Sequence, residues 1–373
     1  MSNSRPTVSL TAPLPPGSVI GMLGGGQLGR MAAQAAAAMG YHCHVFCPEQ
    51  NSPAAEVARD NTVAAYDDWD ALAAFAGAVD VVTYEFENVP SETAAFLLER
   101  KAVHPGPNVL HICQNRLREK DFCNSIDIPT TRYAEVNSFE SLERVVRDMG
   151  RPCVLKTTEM GYDGKGQSFI RQDSDLTEVW EKVTGGKEGI QTIVEAVVDF
   201  RMEISVIVAR SLNGACQTYI PVENQHKNHI LDRTIVPARI SDKLLERAEA
   251  IARRMADKLE LMGMLAIEMF VTTDDEILVN EMAPRPHNSG HWTMDGCVTS
   301  QFEQFMRAVA GVPLGSVERH SDVVMTNLLG HDVDDWHAIL SDPNNKLHLY
   351  GKAEAKPGRK MGHVNRIIPR GEG

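Results

Sequence analysis

The pattern of apolar and polar residues predicts that the chain opens with a βαβ unit. Residues 18–23 form a short apolar run that leads into a glycine-rich turn. A helical pattern over residues 30–39 follows, and a second apolar run covers residues 41–46. The alternation continues with strands at residues 80–84 and near Val103 and with helices at residues 68–76 and 91–99. A parallel sheet covered by helices is therefore expected in this part of the chain.

Beyond a charged helix at residues 114–124, the pattern becomes that of a small α+β module. It predicts helices over residues 138–149 and 175–182 and strands over residues 153–156, 168–171 and 191–196. A glycine-rich segment, residues 161–167, lies between the first two of these strands. We expect this module to be a lid that carries the glycine-rich segment as a flap.

The last part of the chain is predicted to be mostly antiparallel. Apolar runs at residues 265–271 and 276–280 flank a Thr-Asp-Asp turn, which is typical of a β-hairpin. The expected fold class is thus α/β and α+β. The expected segments are a flexible tail over residues 1–17, a Rossmann-like domain with a linker helix over 18–124, the lid domain over 125–196 and a C-terminal domain over 197–373.

Composition excludes some classes of function. The chain has 373 residues, 43% of them hydrophobic, and a formal net charge of -13 at pH 7. Such a charge argues against nucleic-acid or anionic-membrane partners, which select for basic surfaces. The seven cysteines are scattered and contain no Cys-x-x-Cys pair, which favours a reducing cytoplasm over a disulfide framework or a zinc ribbon.

The first glycine-rich turn matches a dinucleotide-binding fingerprint. Gly24, Gly26 and Gly29 follow the first predicted strand with the spacing that lets a backbone approach a pyrophosphate at a helix N-terminus. The acidic residue expected after the second strand is represented only by Glu49, beyond Pro48. NAD binding and a tight strand-to-helix turn, with or without another phosphate, both remain open at this point.

The second glycine-rich segment differs from a Walker sequence because it lacks the Gly-Lys-Ser/Thr ending. Gly161, Gly164 and Gly166 permit a close backbone approach to phosphate, and Lys165 and Lys156 add positive charge. We interpret the segment as a mobile phosphate-binding flap. The alternative is a flexible exposed hairpin loop.

Two glutamates on the predicted hairpin indicate a cation site. Folding the hairpin brings Glu268 and Glu281 within about one rung of each other, where two carboxylates repel. A divalent cation relieves this repulsion and, with Asn280, gives the oxygen ligands that Mg²⁺ prefers. The alternative is a solvated acidic hairpin. Glu195 and Glu203, at the ends of neighbouring strands, suggest acceptors for an adenine or a ribose.

The run 280–292 after this hairpin contains a carboxylate, a guanidinium, two imidazoles and side-chain amides. Burying so many polar groups is costly unless a metal, an anion or a substrate satisfies them. We therefore interpret the run as part of a functional site.

Taken together and in this order, the motifs resemble those of the ATP-grasp ligases, and within them the 5-(carboxyamino)imidazole ribonucleotide synthetase family of purine biosynthesis. The resemblance covers residues 18–367 and implies an ATP-grasp architecture. It rests on Gly24 to Gly29 with Arg30-Met31, on Tyr84-Glu85-Phe86-Glu87, on residues 161–167 and 280–292, and on Arg359-Lys360-Met361-Gly362-His363.

The resemblance implies an ADP-forming carbon-nitrogen ligase, cytoplasmic and homodimeric, that uses ATP and Mg²⁺. Such an enzyme joins bicarbonate, through carboxyphosphate, to the exocyclic amine of 5-aminoimidazole ribonucleotide. It also implies Glu268 and Glu281 as magnesium ligands. The implied ATP-binding residues are Arg116, Lys156, Gly161, Tyr162, Asp163, Gly164, Lys165, Gly166, Gln167, Glu195, Ala196, Val197, Val198, Glu203, His226, Asn280 and Glu281.

The acceptor ribonucleotide is expected on the opposite side of the site. Asp163 is the expected proton-transfer group, although an ordinary carboxyl pKa makes it a poor base unless its surroundings raise that pKa. The residues implied for acceptor binding are Glu85, Tyr162, Asp163, Lys165, Arg285, His287, Asn288, Ser289, Lys352 and Arg359. Those implied for catalysis are Asp163, Lys165, Arg285, His287 and Lys352.

Three other functions stay open on the sequence alone. One is a sibling ATP-grasp ligase, such as formate-dependent glycinamide ribonucleotide transformylase or biotin carboxylase, although the run 287–292 and the pair Tyr162-Asp163 differ from both. Another is an NAD-dependent oxidoreductase. The third is a regulatory nucleotide-binding protein without turnover, against which Lys156, Glu268 and Glu281 argue.

Overall fold

The computed structural model describes residues 7–159, 166–187 and 189–371. Within these residues, the N-terminal strands form a four-stranded parallel sheet in the order β3-β2-β1-β4. Its elements, with the helices that follow it, are β1 (Val19–Leu23), α1 (Gln27–Ala38), β2 (His42–Cys47), β3 (Asp60–Val63), α2 (Trp69–Ala78), β4 (Val81–Tyr84), α3 (Ser91–Leu98), α4 (Pro107–Cys113) and α5 (Arg116–Ser125). The predicted parallel sheet is thus confirmed.

The N-terminal sheet differs from the prediction at its two edges. The strand expected near Val103 is a single isolated bridge to Val82, and pairing ends there because Pro105 has no N–H to donate. The edge strand β3 was not predicted. Its sequence, Asp-Asn-Thr-Val, is polar and largely exposed, so it carries no hydrophobic signal.

The lid forms a second, antiparallel sheet in the order β5-β8-β6-β7. Helices α6 and α7 pack on it around a core that includes Leu142, Leu155 and Trp180. In its described part, the elements are β5 (Tyr133–Val136), α6 (Phe139–Met149), β6 (Cys153–Thr157), β7 (Gln167–Ile170), α7 (Leu176–Thr184) and β8 (Thr192–Ala196). A small α+β unit was predicted here.

Residues 200–369, all of them described, contain a nine-stranded antiparallel sheet. The path runs β14-β13-β9-β11-β12-β15-β17-β16, and β10 pairs with β9. The elements are β9 (Phe200–Arg210), β10 (Cys216–Thr218), β11 (Val222–Lys227), β12 (Ile230–Val236), α8 (Asp242–Lys258), β13 (Gly263–Thr272), β14 (Ile277–Ala283), α9 (Thr293–Gly296), α10 (Gln301–Val309), β15 (Ser321–Leu329), α11 (Trp336–Leu340), β16 (Asn345–Leu349) and β17 (Lys360–Pro369).

The two faces of the large sheet are covered by different helices. Helix α8 packs on one face through Ala248, Ala252 and Met255, and α10 packs on the other. Helix α1 packs against α10, so the N-terminal sheet is joined to the large sheet through one continuous core. No helix among the described residues is both long and apolar enough to cross a membrane.

Candidate active site

Two adjoining cavities lie against α5 and the large sheet, the larger beside the lid and the smaller beside the N-terminal sheet. The larger has a volume of about 670 Å³ and the smaller about 380 Å³. Several described residues line both cavities and therefore mark their common wall: Arg116, Glu268, Glu281, His287, Asn288 and Lys360. Most belong to the motifs that the sequence singled out.

The common wall contains two carboxylates in direct cross-strand register. Glu268 of β13 lies opposite Glu281 of β14. The next pair joins Met269 to Val279, so Asn280 is the extra residue of a β-bulge. A bulge re-aims neighbouring side chains, and here both Asn280 and Glu281 line the larger cavity. A regular strand would have sent these consecutive side chains to opposite faces.

The surroundings make the two carboxylates electrostatically unequal. Burial and the charge of Glu281 raise the pKa of Glu268 well above its ordinary range. Burial also acts on Glu281, but the Arg116 guanidinium outweighs it and lowers the pKa of Glu281. Arg116 Nη1 donates to Glu281 Oε2 at 3.1 Å.

The donor set at this wall fits Mg²⁺ as a shared ion. Among residues 7–159, 166–187 and 189–371, no group of three or more His, Cys, Asp or Glu side chains is arranged to hold a metal by itself. Glu268 and Glu281 supply two carboxylates, and Asn280 lies beside them. Mg²⁺ commonly binds through one or two carboxylates, with waters and substrate phosphates completing its shell. A cation bound here would relieve the repulsion between the two carboxylates.

The lid contributes a buried ion pair to the larger cavity. Lys156 of β6 and Glu195 of β8 occupy adjacent strands, and Lys156 Nζ donates to Glu195 Oε2 at 2.6 Å. Burial alone would raise the pKa of Glu195, but the ammonium groups of Lys120 and Lys156 lower it to about 2. Burial lowers the pKa of Lys156. An ammonium group is thus held at the cavity wall by a partner that stays ionised.

The connection from β8 into β9 forms another part of this wall. Ala196, Val197 and Val198 line the larger cavity. Glu203 contacts His226, with His226 Nδ1 3.0 Å from Glu203 Oε2. Burial opposes the charged imidazole, but the Glu203 carboxylate outweighs this effect and raises the pKa of His226.

Nearly every residue expected on the ATP side that the structure describes lines the larger cavity. The exception is Gly166, which precedes the wall with a φ of 70°. Gly161, Tyr162, Asp163, Gly164 and Lys165 lie outside the described residues. The sequence missed Phe200 and Phe270, whose stacked rings have centroids 4.6 Å apart and line the same cavity. Their places on two apolar strands resemble ordinary core positions, so no pattern in the sequence indicated a ligand contact for them.

The guanidinium of Arg285 pairs with a carboxylate of the protein itself. It was expected to bind the acceptor, but its Nη2 donates to Glu87 Oε1 at 2.7 Å and its Nε donates to Glu87 Oε2. Burial opposes ionisation of Glu87, yet Arg285 outweighs it and lowers the pKa of Glu87. Arg285 lines the smaller cavity, but one carboxylate already occupies its fork.

His287 is fixed in one tautomer. The backbone N–H of Ser289 donates to His287 Nδ1 at 3.3 Å, so Nδ1 is an acceptor and Nε2 carries the proton. His287 Nε2 lies 3.3 Å from Glu268 Oε1, on the common wall. Burial and the charges of Arg285 and Lys360 lower the pKa of His287 to about 3. The site therefore holds a neutral imidazole that donates toward the carboxylate pair.

Ser289 holds His287 in place through hydrogen bonds to its Nδ1. It is buried and does not line either cavity. Its hydroxyl lies 2.8 Å from His287 Nδ1 and accepts a hydrogen bond from Ser205 Oγ at 2.7 Å. Ser289 was expected to bind the acceptor, but it lines neither cavity, and its hydrogen bonds instead orient His287.

Glu85 explains the first glycine-rich turn. Its buried carboxylate accepts hydrogen bonds from the N–H groups of Gly26 at 2.7 Å and Gly29 at 3.2 Å, at the N-terminus of α1. A Cβ at Gly24 would lie 2.6 Å from Glu85 Oε1. The glycines thus make room for an internal carboxylate where a dinucleotide fold would place a pyrophosphate. Glu85 also lines the smaller cavity.

The C-terminal basic residues are only partly at the site. Lys352 Nζ donates to the carbonyl of Lys360 at 2.7 Å, and Arg359 Nη1 donates to the carbonyl of Glu354 at 3.0 Å. Neither side chain lines either of these two cavities, whereas Lys360, which was not predicted, lines both. The signal for Lys360 was present as the neighbour of Arg359 in the same motif.

Comparison with protein families divides the chain among three matching domain models. A ribonucleotide synthetase preATP-grasp domain matches residues 18–114, an ATP-grasp domain matches residues 121–302, and a phosphoribosylaminoimidazole carboxylase C-terminal domain matches residues 323–372.

The similarity to known proteins extends over nearly the whole chain. An N5-carboxyaminoimidazole ribonucleotide synthase of Brucella melitensis is 48% identical, covering 96% of this chain and 98% of its own length. A bifunctional purine synthesis protein of Dictyostelium discoideum is 47% identical over 98% of this chain, which spans 38% of that longer protein.

Solved structures show the same similarity in three dimensions. A crystal structure of an N5-carboxyaminoimidazole ribonucleotide synthetase with ADP is 45% identical, with a TM-score of 0.92, and the match covers 96% of this chain and 94% of the other. An Aspergillus clavatus enzyme in complex with ADP and 5-aminoimidazole ribonucleotide is 30% identical, with a TM-score of 0.87, covering 95% and 94%.

Proposed function

Because the chain belongs to the N5-carboxyaminoimidazole ribonucleotide synthase family, we propose that it carboxylates the exocyclic amine of 5-aminoimidazole ribonucleotide. Bicarbonate is the carbon source and ATP the energy source. The products are N5-carboxyaminoimidazole ribonucleotide, ADP and phosphate. The observation that carries the proposal is the common wall, where Glu268, Glu281 and His287 face both cavities at once.

We assign ATP to the larger cavity and the acceptor ribonucleotide to the smaller one. In this arrangement the terminal phosphate of ATP lies at the common wall and the acceptor amine approaches it from the other side. Carboxyphosphate forms and reacts between the two, which limits its exposure to water. The complex of the Aspergillus clavatus relative with both ADP and 5-aminoimidazole ribonucleotide supports a separate site for each ligand.

Charge neutralisation at the common wall is the main chemical contribution of this chain. Arg116 and Lys156 offer donors to phosphate oxygens, and Lys360 lines both cavities. Such fixed charges in a largely buried site stabilise the transition state of phosphoryl transfer. The neutral imidazole of His287 offers an N–H toward the wall without adding a charge that would repel the other cations.

Glu268 and Glu281 would hold Mg²⁺ at this wall. A bound Mg²⁺ ion neutralises phosphate charge and orients the terminal phosphate. Glu281 remains tied to Arg116, so the carboxylate that keeps the lower pKa is also the one that is held in position.

The segment that would close the site is proposed from sequence and family alone. Tyr162, Asp163 and Lys165 would contact the acceptor, with Asp163 as the proton-transfer group and the glycines covering phosphate. Lys352 and Arg359 would bind the acceptor phosphate from the C-terminal segment. Their present hydrogen bonds go to backbone carbonyls, which leaves other N–H groups for a ligand.

We also infer a cytoplasmic homodimer. The seven cysteines, all at described positions, are unpaired, as expected in a reducing compartment. Two-fold homodimers are the commonest assembly among soluble oligomeric proteins. Light scattering of the purified chain tests the dimer directly.

The test of the proposed function is ADP release measured with each component omitted in turn. Release should require Mg²⁺ and bicarbonate and should rise when 5-aminoimidazole ribonucleotide is added. Glu281→Gln should abolish it, whereas Glu276→Gln, at an exposed position before the same strand, should not. NADH binding without ATP hydrolysis would overturn the proposal. Stimulation by formate and glycinamide ribonucleotide instead would move the chain to a sibling reaction.

A further inference from the structure

One face of α5 holds the part of β14 that carries Glu281. Residues 116, 119 and 120 are spaced i, i+3 and i+4, so their side chains share a helix face. The contacts run from Arg116 Nη1 to the Glu281 carboxylate at 3.1 Å, from the Met282 N–H to Glu119 Oε1, and from Lys120 Nζ to the Asn280 carbonyl at 3.2 Å. Three successive residues of β14 are therefore each bound by one side chain of α5.

Lys120 is a buried charge with partners in two parts of the molecule. Its side chain is 1% exposed. Besides the Asn280 carbonyl, its Nζ lies 3.3 Å from Glu195 Oε1 in the lid. The other oxygen of Glu195 binds Lys156. Burying a lysine is costly unless it is paired, so these contacts account for its retention inside the molecule.

Glu119 is equally enclosed. It is 3% exposed, and its Oε1 accepts the backbone N–H of Met282, the residue after Glu281. No sequence motif singled out either Glu119 or Lys120, because a charged helix is ordinarily a solvated one. Their burial distinguishes them from the exposed Asp121 and Asn124 on the same helix.

We propose that Glu119 and Lys120 are positioning residues. Both hold the bulged segment of β14 so that Glu281 meets the nucleotide. Lys120 also neutralises part of the charge of Glu195, so that the Lys156 ammonium can bind phosphate. The inference rests on the proposed function, because it assigns these residues to the nucleotide side of the same site. Without Lys120, the full charge of Glu195 acts on Lys156 and competes with a phosphate for that ammonium. Without an acceptor at position 119, the Met282 N–H loses its partner and the bulge loses one anchor.

The first test is Lys120→Met, which keeps most of the unbranched side chain and removes its charge. Lys243→Met, at an exposed position on α8, is the matched control. We expect the KM for ATP and the dissociation constant for ADP to rise about tenfold or more, in line with the loss of a charged, buried hydrogen bond. The control should leave both unchanged. An unchanged ADP affinity in a folded Lys120→Met protein would overturn the assignment.

The second test compares Glu119→Gln with Glu119→Ala. The glutamine keeps a carbonyl oxygen that can accept the Met282 N–H, so kcat should remain within about threefold of the parent. The alanine removes this acceptor, and kcat should fall about tenfold or more, with a higher Mg²⁺ requirement. A merely structural role would lower the melting temperature of the alanine variant without changing its Mg²⁺ dependence, and that result would refute the proposal. Equal kinetic losses in both variants would do the same.

ADP titration by calorimetry separates this inference from the proposed function. If the parent protein shows no ADP release that depends on bicarbonate and the ribonucleotide, the proposed reaction fails. The ADP affinity of Lys120→Met, compared with that of the parent and of Lys243→Met, still decides whether Lys120 positions the nucleotide site.

Discussion

The ion pair between Arg285 and Glu87 should be strongly coupled, and its loss should affect both stability and acceptor binding. The two residues are 198 positions apart, and the pair joins the segment after β4 to the segment after β14. The perturbations are Arg285→Met, which keeps most of the aliphatic volume, Glu87→Gln, which keeps the shape of the carboxylate, and the double variant.

The magnitude follows from the geometry. The Arg285 and Glu87 side chains are 15% and 25% exposed, and the fork is bidentate. Removing one partner of such a pair leaves a poorly solvated charge and costs about 3 kcal/mol. Removing both leaves no uncompensated charge and should cost about 1 kcal/mol or less. The expected coupling energy is therefore several kcal/mol, at or above the upper end of the usual range of about 0.5–3 kcal/mol for contacting residues.

The assay is urea unfolding of the four proteins at pH 7, with the coupling energy taken from the double-mutant cycle. The pH dependence gives a second reading, because the folded-state pKa of Glu87 is lowered. A lowered carboxyl pKa contributes stability that is fully present above the unfolded value, about 4.3, and is lost as pH falls through the folded value. Glu87→Gln should lack this acid-side loss.

Kinetics completes this prediction. Arg285→Met should raise the KM for the ribonucleotide or lower kcat, with little effect on ATP affinity. Glu87→Gln frees the guanidinium and should change the acceptor KM less. A coupling energy below about 0.5 kcal/mol would refute the reasoning about the pair. Equal losses of acceptor and ATP affinity in Arg285→Met would place Arg285 in the nucleotide site.

Three other predictions concern the carboxylate pair Glu268 and Glu281, Lys352 in the C-terminal segment, and the first glycine-rich turn. Removing Mg²⁺ with a chelator should lower the melting temperature of the parent protein when ADP is present, because an ion that binds only the folded state stabilises it by mass action. The melting temperature of Glu281→Gln should not change. An equal change in both proteins would refute the assignment of Glu281 as a magnesium ligand. Burial and neighbouring cations lower the pKa of Lys352 to about 8, so the acceptor KM should rise as pH passes through 8 and the ammonium is lost, and Lys352→Met should lack this rise. Gly24→Ala should destabilise the protein by about 2 kcal/mol or more in urea unfolding, since its φ is +104° and the added Cβ meets Glu85. Gly77→Ala, on α2 with open space around it, should be neutral or stabilising by up to about 1 kcal/mol.

The residues that line the larger cavity could be predicted well because they belong to local motifs. Lys156 ends one predicted strand, Glu195 another, and Glu268 and Glu281 lie on the two arms of one hairpin. Hairpin pairing is determined by the turn and by the alternation of apolar residues, so the sequence alone predicts that the two carboxylates meet. The bulge at Asn280 follows from the register and was not visible in the pattern.

The contacts around the smaller cavity were harder to predict because its lining residues come from distant segments. The resemblance assigned Arg285 and Glu85 to the acceptor, but the sequence could not show that Glu87 fills the Arg285 fork or that Glu85 caps α1. The same limit applies to Glu119 and Lys120, which have the composition of an exposed helix and become buried only because β14 and the lid close over them.

The sequence by itself determined the parallel N-terminal sheet, the hairpin that pairs Glu268 with Glu281, the family and most of the residues that line the larger cavity, because periodicity and motif spacing act over short stretches of chain. The tertiary structure alone decided which charge meets which. In the folded chain, Glu85 accepts hydrogen bonds from the N–H groups of the dinucleotide-like turn, and Arg285 pairs with Glu87. Hydrogen bonds also set the tautomer of His287 and join β14 to α5. Hydrogen bonds and charge pairs depend on atoms brought within a few ångströms of one another, and only the folded chain brings residues from such distant segments that close.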